Sequence, residues 1–229
     1  MQRKGFWPQH AAEVGVYIPE TSNIFDYIVA GVRTTLVEPD PQAIRRINES
    51  FGQLPGVTLH QLAAFDFTGT LDLSQRDAST FVSQLESSPA IVNDGYVVSD
   101  ADQFTVQCTT FDKLDDGSID LISIDTEGSE WYVLKYMLSR PDVISIETHG
   151  AAYRNPHHGD IEEWIATNDY RLFYMDKTDS VYVRNGRIAL SVIDRLRLKL
   201  QTARLAMRRI RKRGLGGSAS SLNNSDYSS

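Results

Sequence analysis

The chain has 229 residues, of which 41% are hydrophobic and 23% are charged, and its formal net charge is −7. This size suits one domain with one sizeable core and short appendages. The single cysteine, Cys108, excludes an internal disulfide and a multi-cysteine metal site, and it fits a reducing compartment such as the cytoplasm.

Charge and hydropathy exclude further classes of protein. No apolar run reaches the ~20 residues that a membrane span requires. Residues 195–213 carry nine basic side chains and no acidic one, so the rest of the chain holds 14 basic residues and all 30 acidic ones. Because phosphate contacts need a basic face, this acidic body argues against a nucleic acid as substrate or partner.

Strands and helices are expected to alternate along the first 64 residues. Apolar residues recur at helical spacing in two segments, and each segment lies between two runs that are typical of strands. Such alternation favours an α/β fold with a parallel sheet and right-handed crossovers. The predicted strands comprise residues 11–17, 34–38 and 57–64, and the predicted helices comprise residues 24–29 and 41–47.

A long polar stretch then interrupts the alternation. Residues 74–103 are predicted to form a mobile loop on the substrate side, with disorder as an equally weighted alternative. A helix capped by Asp160 and an antiparallel hairpin are expected near the end of the sheet. The other predicted strands comprise residues 70–73, 104–108, 121–124 and 143–147, and the hairpin joins residues 170–174 to residues 181–183.

The central stretch of the chain concentrates acidic residues where a strand ends and a helix begins. The apolar run Leu121–Ile124 predicts a strand buried on both faces, and it leads directly into Asp125. Glu127, Gly128 and Glu130 follow, and apolar residues then recur at helical spacing. In an open α/β sheet, ligands bind at such carboxyl ends of strands. The sequence therefore predicts a binding crevice around Asp125.

Two residues near the amino terminus suggest a nucleoside site. Gly15 lies where the first predicted strand ends in a turn, and glycine there lets the backbone turn tightly and approach a ligand. Glu38 ends the second strand 23 residues later, close to the spacing of an acidic residue that binds ribose hydroxyls. A solvated strand-end carboxylate is an equally weighted alternative for Glu38. The G-x-G-x-x-G fingerprint is absent, so a dinucleotide site is not supported.

Residues 188–213 have the pattern of a basic amphipathic helix. The apolar residues step by four and three and are flanked by arginines. Such a helix can pack on its own chain, pair with a second copy, or lie on an anionic membrane. Residues 214–229 are rich in glycine, serine and asparagine and are predicted to be disordered. The predicted organisation is a domain over residues 1–187, this helix, and the tail.

Several blocks of the chain together resemble the FkbM family of S-adenosylmethionine-dependent methyltransferases. The block Ile122–Glu130 is similar to the family's lysine-isoleucine-aspartate-x-glutamate-glycine-x-glutamate signature. Ile146–His149 is similar to its later glutamate-x-histidine strand end. The resemblance spans residues 11–185, and its other blocks are residues 13–16, 36–41, 62–64 with Gly69, and 110–114.

This resemblance implies a fold and an activity. The fold is a Rossmann-like class I methyltransferase domain, with a mostly parallel seven-stranded sheet and an antiparallel C-terminal hairpin. The activity is methyl transfer from S-adenosylmethionine to a hydroxyl, often on a sugar or a natural product. The chain is accordingly expected to be a cytoplasmic O-methyltransferase that acts on a sugar hydroxyl in glycan or glycolipid biosynthesis, with a small molecule or glycan as acceptor.

The resemblance also implies roles for individual residues. Asp125 is expected at the methyl-transfer crevice, and His149 is the preferred general base because its ordinary pKa lies near neutrality. Asp125 could orient His149 or act as the base itself. The expected cofactor-binding residues are Glu13, Gly15 and Val16 at the methionine end, Glu38 at the ribose, Ala64 and Asp66 near the adenine, and Asp125.

Three departures from the family pattern keep other functions open. Glu13 stands where the family has aspartate, Pro19 where it has a second glycine, and Ser123 where it has lysine. A degenerate methyltransferase fold that binds without catalysing is therefore one alternative.

A metal-dependent transferase is another alternative. Asp125, Glu127, Glu130 and Glu147 could gather Mg²⁺ or Ca²⁺. Acidic residues also stabilise a helix N-terminus by ~0.3–1 kcal/mol each. We favour that explanation, so the sequence prediction includes no metal site.

Overall fold

The computed structural model describes residues 1, 4–76, 79–82, 103–150 and 153–216. These residues form an α/β fold, and the strands and helices occur in the alternating order that the sequence predicts. The strands are β1 (His10–Val14), β2 (Arg33–Val37), β3 (Val57–His60), β4 (Ala63–Ala64), β5 (Gly69–Arg76), β6 (Ser79–Val82), β7 (Gln103–Thr109), β8 (Leu121–Ile124), β9 (Val143–Glu147), β10 (Tyr170–Met175) and β11 (Asp179–Arg184). The helices are α1 (Phe25–Val29), α2 (Pro41–Phe51), α3 (Glu130–Lys135), α4 (His158–Thr167) and α5 (Val192–Gly216).

The main sheet has seven strands in the order β10-β11-β9-β8-β1-β2-β3. Strands β9, β8, β1, β2 and β3 pair in parallel, whereas β11 is antiparallel to both β9 and β10. This arrangement confirms the predicted mostly parallel sheet with an antiparallel C-terminal hairpin. It also brings the carboxyl ends of β1, β2 and β8 side by side at one edge.

The sheet is buried on both faces because successive strand residues point to opposite sides. Ala12 and Ile122 pack with α3 and α4 on one face, while Ala11 and Leu121 pack with α1 and α2 on the other. Burial of each large aliphatic side chain contributes about 1.5–3 kcal/mol. These two cores hold the central strands in place, so their carboxyl ends are rigid supports for a site.

A second sheet of four strands follows the order β4-β7-β5-β6. Its β4 corrects the predicted third strand, residues 57–64. After His60 the chain leaves the edge of the main sheet, and Ala63–Ala64 pairs in parallel with β7 instead. Pairing with residues of β7 more than 40 positions further along the chain decides this change, so the local sequence alone does not reveal it. Ala63 and Ala64 thereby reach the edge where β1, β2 and β8 end.

The predicted loop over residues 74–103 is partly structured. Residues 74–76 belong to β5, and β6 pairs with β5 in an antiparallel ladder, so the loop prediction is wrong at both strands. The polar residues of this segment indicate a loop, but the pairing of β5 with β6 satisfies its backbone hydrogen bonds, which the sequence does not reveal. Residues 77–78 and 83–102 lie outside the described residues.

Two other predicted features differ in detail. Helix α4 begins at His158 rather than after Asp160, which lies in the first turn and does not cap the helix. Helix α5 extends through residue 216, three residues into the predicted tail, and the remainder of that tail lies outside the described residues. No helix of the described residues has the length and apolar content needed to cross a membrane.

Helix α5 starts against the body of the protein. It lies beside β10, and Lys4 forms an ion pair with Asp194 in its first turn. Its apolar side chains remain largely exposed, namely Val192, Ile193, Leu196, Leu200 and Met207. Pairing with a second copy or contact with a membrane therefore stays a prediction.

Candidate functional site

A cavity of about 210 Å³ opens at the carboxyl edge of the main sheet. Strands β1, β2 and β8 supply its floor, and β4 and β5 of the second sheet supply a facing wall. Six of the residues expected from the sequence line it together, namely Glu13, Gly15, Val16, Glu38, Ala64 and Asp125. The three strand ends therefore meet at one cavity, as the sequence predicts.

Gly15 lies where two strand ends approach most closely. Its amide donates to the carbonyl of Val37 at 2.9 Å, and its φ of +83° is in the left-handed region. A Cβ at this position would lie 1.8 Å from the carbonyl oxygen of Asp125. Glycine is therefore required both by the backbone conformation and by the contact between β1 and β8.

Glu38 is buried and fixes the loop that follows β1. Its Oε2 accepts hydrogen bonds from the amides of Val16 at 2.9 Å and Tyr17 at 3.0 Å, and its Oε1 accepts from the amide of Asp40 at 2.8 Å. Burial raises the pKa of Glu38, while these amides oppose that rise. Because a carboxylate offers about four acceptor positions, Glu38 can also accept from a ligand hydroxyl.

Glu13 connects β1 to the start of α1. It accepts hydrogen bonds from the hydroxyl of Ser22 and from the amide of Asn23, the latter at 2.9 Å. The Asn23 side chain donates to the Ser123 hydroxyl at 3.0 Å, and Ser123 lies opposite Glu13 in the strand register. Burial raises the pKa of Glu13 to about 7, and no basic side chain of the described residues contributes to offset it.

We expect Glu13 to make stability depend on pH. The native state keeps the Glu13 proton up to about pH 7, whereas the unfolded chain releases it near its ordinary pKa of 4.5. The native state therefore binds more protons across this window, and the free energy of unfolding falls as pH rises through it. The change attributable to Glu13 is about 3 kcal/mol.

Glu13→Gln should remove this dependence, because the amide can donate to Ser22 and accept from Asn23 without a charge. Urea unfolding of wild type and variant at pH 5 and pH 8 measures the difference. Glu49→Gln, a change at an exposed position of α2, is the matched control and should follow wild type. Parallel pH profiles for wild type and Glu13→Gln would contradict the assignment.

Three carboxylates meet beneath the cavity. One oxygen each from Asp125, Glu130 and Glu147 lies within 4.8 Å of the other two. Glu130 accepts from the amides of Thr126 at 2.9 Å and Gly128 at 3.0 Å, and also from the Asn155 side chain. It thereby holds the loop between β8 and α3.

This cluster places like charges in a buried setting. Burial, followed by the charges of neighbouring carboxylates, raises the pKa of Asp125 well above its ordinary range. The same two causes, with Asp125 as the neighbouring charge of largest effect, raise the pKa of Glu147 to about 11. Because the three carboxylates cannot all stay ionised without compensation, protons or a cation must offset their negative charge.

Comparison with known proteins decides the family. The sequence model of the methyltransferase FkbM domain matches residues 13–172, which is more than half of the chain. The chain belongs to the FkbM methyltransferase family. A comparison with curated proteins gives no match. The chain thus has the Rossmann-like class I methyltransferase fold, and the six cavity residues named above lie within the matched FkbM domain.

Solved structures similar to this FkbM-family chain include other methyltransferases. Ribosomal protein L11 methylase from Lactobacillus delbrueckii subsp. bulgaricus aligns with a TM-score of 0.42 and 12% identity, covering 80% of this chain and 73% of that one. The methyltransferase domain of bacterial CtHen1 aligns with a TM-score of 0.37 and 11% identity, covering 80% of this chain and 90% of that one.

Two residues expected at the FkbM site do not line the cavity. His149 is buried, with Nδ1 2.8 Å from the Thr148 hydroxyl and Nε2 3.3 Å from the carbonyl oxygen of Asp176. Asp66 lies at the surface and pairs with Lys135 at 2.5 Å, which lowers the pKa of Asp66. The structure therefore brings neither side chain to the cavity that holds Asp125.

The cavity also includes residues that sequence reasoning did not single out. Leu71 and Leu73 of β5 form an apolar wall, and their spacing of two already placed them on one face of a strand. Tyr17, Thr21 and Asn23 line the opening above Glu13. Nothing local in the sequence indicates these three contacts, because the fold of the loop after β1 creates them.

Proposed function

We propose that this chain is an S-adenosylmethionine-dependent O-methyltransferase that acts on a hydroxyl of a sugar in glycan or glycolipid biosynthesis. The observation that carries the proposal is the single cavity that joins Gly15, Glu38 and Asp125 in a member of the FkbM family. The reduced state expected for its one cysteine favours the cytoplasm as the place of reaction.

The residues of the cavity fit this cofactor. Bare backbone at Gly15 lets a methionine chain approach the end of β1, and Glu38 can accept from ribose hydroxyls at the end of β2. Ala63, Ala64 and Leu71 offer an apolar wall for a flat base. When bound, S-adenosylmethionine supplies an electrophilic methyl group on a positively charged sulfur, and the surrounding carboxylates favour that charge.

An acidic lining also suits a polyhydroxylated acceptor. Asp125, Thr126, Glu127 and Ser129 present oxygen atoms at the cavity, and carboxylates accept strong hydrogen bonds from hydroxyls. A hydroxyl needs alignment with the methyl group and removal of its proton. Alignment contributes up to ~7–11 kcal/mol, and assistance with the proton typically ~10²–10⁴-fold. We assign the contact with the acceptor hydroxyl to Asp125, because His149 lies away from the cavity.

A degenerate, non-catalytic FkbM domain is the second candidate. Pro19 is buried and begins a 3-10 turn over Pro19–Thr21 beside the cavity, where the family pattern has a glycine. Glu38 is already engaged by three backbone amides. Both observations describe a loop that is fixed before any ligand binds. Such a loop supports a non-catalytic domain only if it prevents the cofactor from binding.

Calorimetric titration with S-adenosylhomocysteine separates the two candidates. The proposal expects saturable binding of one molecule per chain, followed by transfer of labelled methyl from S-adenosylmethionine to glycosides with free hydroxyls. The same glycosides with the reactive hydroxyl replaced by hydrogen are the control and should accept no label. Absence of heat at millimolar S-adenosylhomocysteine would favour the degenerate domain and reject the enzyme.

A further inference from the structure

The three carboxylates beneath the cavity have the spacing of ligands around one ion. Their nearest oxygens lie within 4.8 Å of one another, and two ligands on opposite sides of one Mg²⁺ or Ca²⁺ are about 4–5 Å apart. Asp125 directly follows strand β8, Glu147 ends strand β9, and Glu130 begins helix α3. The three side chains are therefore held by separate rigid elements, which is typical of a preformed site.

Two buried oxygens beside the carboxylates add an independent observation. Glu147 is 8% exposed and Tyr153 is 1% exposed, yet Glu147 Oε2 and the Tyr153 hydroxyl have no hydrogen-bond partner among the described residues. Burial, followed by the charges of Glu130 and Glu147, raises the pKa of Tyr153, as expected for a hydroxyl close to these carboxylates. Buried polar atoms normally have hydrogen-bond partners, so these two oxygens indicate a ligand at the cluster.

A proton alone does not account for this arrangement. A proton on Glu147 Oε2 would leave this buried oxygen still unpartnered, because Oε2 has no hydrogen-bond partner among the described residues. Asp179, which pairs with Glu147 across β11 and β9, adds a further negative charge nearby. A cation satisfies the acceptor-only oxygens and the excess of negative charge at the same time.

We propose that Asp125, Glu130 and Glu147 bind one divalent cation at the floor of the cavity, with the Tyr153 hydroxyl beside it. Oxygen-only ligands select Mg²⁺, Mn²⁺ or Ca²⁺ rather than zinc or copper. Asp125 lines the cavity while Glu130 and Glu147 lie deeper, so the ion reaches the site through the cavity. This assignment replaces the expectation that the acidic residues only favour the helix N-terminus.

The position of the ion suggests its task. The ion lies next to Asp125, to which we assigned the contact with the acceptor hydroxyl. A divalent cation attracts the oxygen of such a hydroxyl and favours its ionised form. It also orients vicinal hydroxyls, which suits a sugar. This task rests on the proposed function, whereas binding of the ion does not.

Binding of Mn²⁺ to the full chain, stripped with a chelator, tests the proposal. Electron paramagnetic resonance measures free Mn²⁺ during titration of wild type, Glu147→Gln and Glu163→Gln. Glu163 is exposed on α4, so its variant has the same change of charge away from the cluster. We expect one Mn²⁺ per wild-type chain with a dissociation constant of about 1 mM or below.

Glu147→Gln should bind at least about 10–100-fold more weakly, a loss typical even for residues that only support a metal ligand. Glu163→Gln should match wild type. Equal binding by Glu147→Gln and wild type, or no binding by wild type at millimolar Mn²⁺, would overturn the proposal.

Titration of the same samples with S-adenosylhomocysteine keeps the two proposals separate. Glu147 does not line the cofactor cavity, so cofactor binding by Glu147→Gln shows that this variant is folded. Mn²⁺ binding without cofactor binding would reject the enzyme and retain the ion. Cofactor binding without Mn²⁺ binding would reject the ion and retain the enzyme.

Discussion

Gly15→Ala is expected to disrupt the cavity. The new Cβ would lie 1.8 Å from the Asp125 carbonyl oxygen, so the ends of β1 and β8 must separate by more than about 1 Å. Overpacking of this kind costs about 1–3 kcal/mol, in addition to about 1–2 kcal/mol for the left-handed backbone. Misplacement by about 1 Å can lower a reaction rate 10²-fold. Methyl transfer should fall by at least that factor.

Gly186→Ala is the matched control for this change. Gly186 has a φ of +78° and nothing within 4 Å of its Cβ position, so alanine there pays only the backbone strain. Urea unfolding should show a larger loss of stability for Gly15→Ala, and only Gly15→Ala should lose S-adenosylhomocysteine binding. Equal behaviour of the two variants would show that β1 and β8 do not meet as described.

Glu38→Ala is expected to weaken S-adenosylhomocysteine binding by one to two orders of magnitude. A charge-assisted hydrogen bond contributes about 1.5–3 kcal/mol, which corresponds to this range. Stability should fall as well, because the amides of Val16, Tyr17 and Asp40 lose their acceptor. Glu38→Gln should be impaired too, since both carboxylate oxygens accept and an amide can replace only one of them.

Loss of the hydrogen bonds to the ribose can be distinguished from loss of the hydrogen bonds that hold the loop after β1. Wild type should bind S-adenosylhomocysteine more tightly than its 2′-deoxy and 3′-deoxy analogues, and Glu38→Ala should bind all three alike. Glu49→Ala, at an exposed position of α2, should keep the wild-type preference. A variant at Glu38 that still discriminated the deoxy analogues would show that this carboxylate acts only on the loop.

Much of the fold could be predicted because its central strands are unambiguous in sequence. Leu121–Ile124 and Val143–Glu147 are short, mostly apolar runs with a carboxylate directly after the first and at the end of the second, and such runs are typical of parallel strands buried on both faces. Gly15 and Glu38 could be placed because the ends of neighbouring parallel strands share one edge.

The remaining parts of the site depend on contacts between distant segments. His149 follows a strand end, as Asp125 does, yet it turns away and bonds to Thr148 and Asp176. Tyr153 and Asn155 reach the acidic cluster from a loop whose sequence shows no periodic pattern. Such positions are set by tertiary packing, which spacing along the chain does not encode.

The structure explains the effect of serine at position 123, where the family pattern has lysine. Ser123 lies beside Glu13 in the register of β1 and β8, and it accepts a hydrogen bond from Asn23. A lysine there would lie next to the Glu13 carboxylate and favour its ionised form. Serine leaves that carboxylate without a cation, which is consistent with its raised pKa.

The cavity draws its floor and its facing wall from different sheets. Gly15, Glu38 and Asp125 belong to the strand ends of the main sheet, whereas Leu71 and Leu73 belong to β5 of the smaller one. Substitutions on β5 can therefore reshape the space opposite the floor while the two cores beneath it stay intact. For protein engineering, this makes the smaller sheet the natural place to alter the shape of the cavity, with apolar replacements only, since Leu71 and Leu73 are buried in a small core of their own.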